Sequence, residues 1–270
     1  MMRLSVSNLA WPESETDWCL SQLQANGIEG VEVAPLKVFS SWEAITETAI
    51  SDAKHRFDRY DLEVSSFQAI TYGVQDITLL GNAEKQQNLL NHLTRVAELL
   101  KKLGGKVAVF GSPGLRQDEG FDPTLLAQLL YKTNDIFKDK GVKFALETVP
   151  GYYGCQILNT LSATDAFLDS HKMSYVVRHF DTGCQSLSGD LENTAQCKAF
   201  LAKSAHLHIS EKDLKDFSNP SSYNISAALL IKDHYKGEWC VLEMGDKQFS
   251  RKTFLSSIKN FASLFTDSES

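Results

Sequence analysis

Residues 142–150 read VKFALETVP. A short, mostly apolar run ends on a charged side chain, Glu147, and then passes into a proline-containing loop. Such a run, short and not cleanly alternating, is what a strand covered on both faces looks like. The same form returns three times downstream: VVRHFD ends at Asp181, AHLH at His208 and CVLE at Glu243. The gaps between these four ends are 34, 27 and 35 residues (147 to 181, 181 to 208, 208 to 243). Each gap has room for one crossover helix and its loops. If the strands are parallel neighbours, all four side chains emerge at one sheet edge. Three carboxylates and an imidazole suit a divalent cation, whereas left unpaired in a dry core they would be costly.

Working outward, the alternation of strand and helix repeats about eight times. Strands are expected at Arg3–Asn8, Gly30–Val33, Leu62–Gln68, Val107–Phe110, Val142–Glu147, Tyr175–Asp181, Ala205–Ile209 and Trp239–Glu243. Helices are expected after Pro12 and near 42–59, 83–103, 123–138, 163–170, 194–203, 222–233 and 251–261. The third of these places Leu89, Leu93, Val96 and Leu100 on one face and meets a plausible C-cap at Gly104-Gly105. Eight such units in 270 residues, with no Pro/Gly/Ser-rich linker, predict a single-domain (β/α)8 barrel over 1–265 and a frayed tail over 266–270. The competing doubly wound sheet calls for a glycine-rich turn after the first strand, and SNLAWPES contains no glycine.

Composition narrows the function. A formal charge of −7 disfavours nucleic acid as a partner. No apolar stretch approaches the ~20 residues that span a bilayer. Five scattered cysteines without CxxC spacing fit a reducing compartment. The opening MMRLSVSNLAW runs straight into a strand without reading as an export signal, so a cytoplasmic protein is expected.

SVSNLAW, GIEGVEVAP, VFGSPGLR, ALETVP, HFDTG, AHLHISEKDL and CVLEMG together resemble the strand ends of the xylose-isomerase-like TIM-barrel superfamily. That group of sugar phosphate isomerases and epimerases includes D-tagatose 3-epimerase, hydroxypyruvate isomerase and inosose dehydratase. The resemblance covers nearly the whole chain. It implies a divalent-metal-dependent isomerase or epimerase acting by proton transfer through a metal-stabilised enediolate on a small carbohydrate. It also implies Glu147, Asp181, His208 and Glu243 as metal ligands, with Glu147 and Glu243 doubling as the catalytic carboxylates. Mn²⁺ is the expected ion because the ligands are mostly oxygen, with Mg²⁺, Co²⁺ and Zn²⁺ as alternatives. Relatives are often dimers or tetramers, so a homo-oligomer is in keeping. An inosose-type dehydratase on the same metal set and a non-catalytic sugar-binding barrel are the alternative readings. An endonuclease of the same fold ranks last, since the first four strand ends carry no histidine.

Two positions depart from the epimerase pattern. Cys184 stands where those enzymes usually place a substrate-binding histidine, and SEKDLKD offers Lys212 and Lys215 where they place an arginine. Both departures point away from a free ketohexose. Cys184 reads as a small apolar filler.

Six further residues are candidates for substrate contact. Glu32 on the second strand and Gln68 on the third occupy C-terminal strand positions and read equally as sugar contacts or interior hydrogen-bonding groups. His179 and His206 each lie two residues before a proposed ligand, on the same strand face. Both read as interior histidines, and His179 is also a candidate for substrate. Glu211 could orient His208 or bind a substrate hydroxyl, and Lys212 could meet an anionic group. Arg116 carries a guanidinium fork suited to phosphate or carboxylate. Trp11, Tyr72, Tyr152 and Tyr153 could form a stacking wall.

Overall fold

The computed structural model describes residues 2–117 and 120–266. Eight parallel strands close into a barrel in sequence order, β1 Arg3–Ser7, β2 Gly30–Val33, β3 Glu63–Phe67, β4 Val107–Phe110, β5 Lys143–Glu147, β6 Val176–Asp181, β7 Ser204–Ser210 and β8 Trp239–Glu243. β8 returns to β1 through the pairs Arg3 with Trp239 and Val6 with Leu242. The single-domain (β/α)8 architecture expected from the sequence is the one observed. Around the barrel run α1 Thr16–Ala25, α2 Glu47–Asp58, α3 Ala83–Lys102, α4 Pro123–Lys140, α5 Leu161–His171, α6 Thr182–Ser188, α7 Thr194–Lys203, α8 Ser222–His234 and α9 Arg251–Phe265. Of the tail expected to fray, only Thr266 falls among the described residues.

The helices begin where side chains can hold orphan backbone amides. Thr46, Asn82, Asp122, Thr160, Asn193 and Ser250 each accept from an N–H of the following helix. Such a cap is worth about 1 kcal/mol. α3 buries Leu89, Leu93, Val96 and Leu100, the face its periodicity foretells. Its end is sealed as expected: Gly104 adopts φ +88° and Gly105 N–H reaches back to the Leu100 carbonyl.

Two differences from the sequence reading matter for the site. α2 starts at Glu47 instead of Trp42, because Trp42 belongs to a loop. It is buried there, packed edge-to-face on His92 with ring centroids 4.4 Å apart. Between β6 and α7 lies the unexpected α6, whose N-terminus is capped by the Asp181 carboxylate accepting from Cys184 N–H.

The barrel lumen is divided by chemistry. Val107, Val109 and Ala145 form a small apolar cluster with Val177. Elsewhere the buried residues of the strands include Ser5, Ser7, Glu32, Ser65, Ser66, His179, His206 and His208. Strand register shifts between Val31 and Glu32 against β3 and between Arg178 and His179 against β7. Such irregularities re-aim a side chain, and each is followed directly by one of these polar residues. Among the described residues no helix is long and apolar enough to cross a membrane. All five cysteines are buried and free.

Candidate functional site

The C-terminal ends of β5 to β8 meet at one mouth. Asp181 on β6 pairs with His208 on β7, and Ser210 pairs with Glu243 on β8. His208 Nδ1 lies 3.2 Å from Glu243 Oε2 and 3.9 Å from Asp181 Oδ2. Its other nitrogen, Nε2, is 3.0 Å from Glu32. With Glu32 accepting from Nε2–H, Nδ1 faces the mouth, where a cation displacing its proton would receive its lone pair. Nδ1 is buried without a hydrogen-bond partner. An imidazole oriented by a carboxylate behind it, with a bare nitrogen among carboxylates in front, has the form of a metal ligand.

Ligand atoms of Glu147, His179, Asp181 and His208 all lie within 4.8 Å of one another, a grouping able to hold a metal ion. This set contains His179, which the sequence reading kept out of the ligand shell. Glu243 joins the group through its contact with His208. A second grouping, His179 with His206 and His208, lies within the same span. His179 Nδ1 is 3.1 Å from His206 Nδ1, and its Nε2 lacks a hydrogen bond and stands 3.9 Å from Glu147 Oε1.

Electrostatics point the same way. Burial, together with the neighbouring Asp181 and Glu243 carboxylates, pushes Glu147 up to about 8. Burial and Glu243 raise Asp181 as well. Burial works against a charged His208, but Glu32 and Glu243 outweigh it and hold its pKa well above the ordinary value. A bound cation would offset the crowding of negative charge that raises both acids.

Backbone detail makes room for these groups. At Gly111, just past β4, an added Cβ would stand 2.2 Å from Glu147 Oε2. At Gly183 it would meet the Ser210 hydroxyl at 2.4 Å. That hydroxyl donates to Asp181 Oδ2 at 2.8 Å, and Asp181 Oδ1 is held by the α6 cap. Ser210 and Gly111 escaped the sequence reading, although both sit inside the motifs it singled out. Cys184 is buried in the cavity wall, its sulfur 3.7 Å from Glu147 Oε1.

Above the carboxylates opens a cavity of about 490 Å³ lined by Gln68, Glu147, Asp181, His208, Glu211 and Glu243 among others. Gln68 donates to Glu32 Oε1 at 2.9 Å and to Ser7. Glu32 is fully buried beneath the cavity, where Ser66 also donates to it at 2.7 Å. Glu211 does not reach His208. Its carboxylate accepts from Ser221, Tyr223 and Asn224 and ties the loop after β7 to the start of α8. Lys212 is exposed outside the cavity wall, its ammonium 5.9 Å from the Tyr223 ring centroid.

Arg116 requires a correction. It is 1% exposed, and all five of its N–H groups are taken by backbone carbonyls of Gly111, Glu147, Ile157 and Leu158 at 2.6–3.1 Å. No donor remains for an anionic substrate. Instead it pins the loop after β4 to the Glu147 peptide and positions that carboxylate through the main chain. Trp11 also leaves the proposed stacking wall, being buried edge-on against Phe254 at 5.7 Å. Tyr153 does line the cavity, and its hydroxyl accepts from Asp213 N–H.

Solved structures with this architecture include 3-keto-D-glucoside 4-epimerase from E. coli (16% identity, 98% of this chain and 99% of that one, TM-score 0.76). D-allulose 3-epimerase from Methylomonas sp. in complex with D-allulose superposes at TM-score 0.74 (17% identity, 98% and 97% coverage). D-psicose 3-epimerase from Clostridium cellulolyticum H10 with D-tagatose does so at 0.76 (12% identity, 98% of both chains). At these identities the likeness shows the fold. No curated protein is significantly similar in sequence. A sequence profile described as xylose isomerase-like TIM barrel matches residues 20–244, and the chain belongs to that family.

Proposed function

We propose that the protein is a divalent-metal-dependent isomerase or epimerase of a sugar or sugar derivative. Glu147, Asp181, His208 and Glu243 would hold the ion, with His179 close enough to substitute for one of them. A bound divalent cation supplies Lewis-acid polarisation of a substrate carbonyl, which acidifies the neighbouring C–H. The observation that carries the reading is His208, fixed from behind by Glu32 with Nδ1 bare among acids.

The protein's own part is proton transfer. β5 and β8 are three strands apart around the ring, so Glu147 and Glu243 approach the cavity from different sides. One carboxylate removes the proton beside the carbonyl. The other, or the same one, returns it to a neighbouring carbon for isomerisation or to the opposite face for epimerisation. Glu32, held by Gln68 and Ser66, fixes His208, which stands 3.2 Å from Glu243, while Arg116 donates to the Glu147 carbonyl. Sugar epimerases among the structural neighbours support this class of reaction.

The test is incubation with Mn²⁺ and a ketose panel in D₂O, with deuterium entry followed by NMR. Uptake at a carbon adjacent to the carbonyl is expected. No uptake from any sugar, including phosphates and uronates, would leave a binding protein, and loss of a hydroxyl would assign the dehydratase reaction.

A further inference from the structure

Next to the carboxylate cavity lies a second chamber of about 620 Å³, formed by the loops after β1, β2, β3, β7 and β8. The two share four wall residues, Ala69, Asp213, Leu214 and Lys247. We propose that the substrate is a compound sugar: its reacting ring sits over the carboxylates, and a neutral glycosidic substituent with an apolar face fills the second chamber. This rests on the function proposed above and narrows it to a substrate class.

Three observations support it. First, the partition between the chambers is built at conformational cost. Three of its four residues are non-glycine residues in the left-handed region: Ala69 at φ +51°, Asp213 at +59° and Leu214 at +52°. Such strain persists where the surrounding structure over-determines it, and it gathers at ligand clamps. Here Leu214 is held on both sides, its N–H donating to Glu211 O and its carbonyl accepting from Gly245 N–H.

Second, the chamber's own wall suits a sugar or aryl face. Leu9, Ala34 and Leu36 line it, and Tyr72 presents a ring that is 72% exposed. That ring stands on a braced loop. Trp42 Nε1–H donates to the Tyr72 carbonyl at 2.9 Å, and Gly73, at φ +77°, passes so near Leu36 that an added Cβ would come within 2.8 Å of it. Aromatic faces with little freedom make effective contact surfaces.

Third, the charges cancel. Lys37, Lys215 and Lys247 face Asp213, Asp216 and Asp246 in the same lining, and Lys37 is bonded to Asp246 at 2.8 Å. A phosphate or carboxylate substituent would find no net field there. Each chamber by itself has the size of a small-molecule site, so an unsubstituted monosaccharide would leave the second one unused.

Binding can be read without turnover. Affinities for methyl β-D-glucopyranoside, phenyl β-D-glucopyranoside and glucose 6-phosphate are measured by calorimetry on the Mn²⁺-loaded protein and on Tyr72→Ala and Leu36→Ser. The phenyl glycoside should bind the wild type about tenfold more tightly than the methyl glycoside. In Tyr72→Ala, a surface change compatible with folding, the ratio should fall towards one, and a folded Leu36→Ser should do the same. Equal affinities in the wild type, a ratio untouched by Tyr72→Ala, or no binding of either glycoside would overturn the proposal. Tightest binding by glucose 6-phosphate would reassign the chamber to an anion. Solvent exchange without any phenyl preference would leave the proposed reaction standing and remove only this substrate class. A phenyl preference without exchange would do the reverse.

Discussion

Glu32 and Glu147 are both glutamates of barrel strands with carboxylates near His208, yet they are driven in opposite directions. Burial works against the Glu32 carboxylate, but His208, His206 and the Ser66 hydroxyl outweigh it and hold it below the ordinary range. Glu147 has burial and two carboxylates against it and is pushed up to about 8, with His208 and Arg116 too weak to compensate. Its Gly111 neighbour offers it space. The residue type is the same in the two cases, and the partners decide. A glutamate whose acceptors are filled by hydroxyl, amide and imidazole donors becomes a support. One surrounded by other acids becomes a site for a proton or a cation.

The largest effects should fall on the unsatisfied side of this contrast. Glu243→Gln and Glu147→Gln each remove a proton-transfer group and should lower solvent exchange of substrate deuterium by about 10²–10⁴-fold. The loss in Mn²⁺ affinity should be smaller, because other ligands remain in the group. Exchange measured at saturating Mn²⁺ separates the two. A variant with unchanged exchange would remove that glutamate as a base and place it with Glu32 among the supports.

The satisfied side should respond differently. In Glu32→Gln the amide can accept from only some of the donors that the carboxylate now holds, and His208 Nε2–H competes with Ser66 and Gln68 for it. Loss of such a partner behind a metal-bound histidine typically costs about 10–100-fold in metal affinity. The expected outcome is that weaker Mn²⁺ binding in calorimetry, with exchange largely recovered once the ion is saturating. Failure of high Mn²⁺ to restore exchange would mean that Glu32 takes part in the chemistry and that the contrast with Glu147 is misdrawn.

The same contrast explains what could be read from sequence. Strand ends carrying Glu147, Asp181, His208 and Glu243 were legible because a charged group closing an apolar run has few structural uses, and the parallel topology brings such ends together. Interior supports such as Glu32 and Gln68 were legible as polar groups, but their roles depend on the register shift beside Glu32, which leaves no mark in composition. Arg116 was misread because its guanidinium makes five hydrogen bonds to backbone carbonyls, and main-chain carbonyls have no sequence signature. α6 was missed because seven residues carry no helical period, and its start is set by the Asp181 side chain. The second chamber is made from five loops, whose mutual approach only the closed barrel dictates.

The smallest effect is a slope in stability with pH, and its sign tests the electrostatic half of the comparison. His179 and His206 are held neutral, His179 well below the usual range by burial and His206 down to about 3, also by burial. Both therefore raise stability as pH climbs to about 6.5, where the unfolded histidines lose their protons. Above that point they contribute no slope. Glu147 remains protonated in the folded protein up to about 8 while its unfolded counterpart is ionised, and His208 remains charged while its unfolded counterpart is neutral. The folded state then binds more protons than the unfolded one, so stability falls as pH rises. In EDTA the melting temperature should decline between about pH 6.5 and pH 8, where Glu32, already ionised in both states, adds nothing. Saturating Mn²⁺ should flatten the decline, because a cation among Glu147, Asp181 and Glu243 removes the reason for Glu147 to keep its proton. The metal-free slope should be reduced in Glu147→Gln, whereas in Glu32→Ser the Glu147 share should persist and the His208 share shrink, because Glu32 helps to hold that imidazole charged. A flat metal-free profile, or one rising to pH 8, would mean that the acids at the mouth are as well satisfied as Glu32 and have no need of an ion.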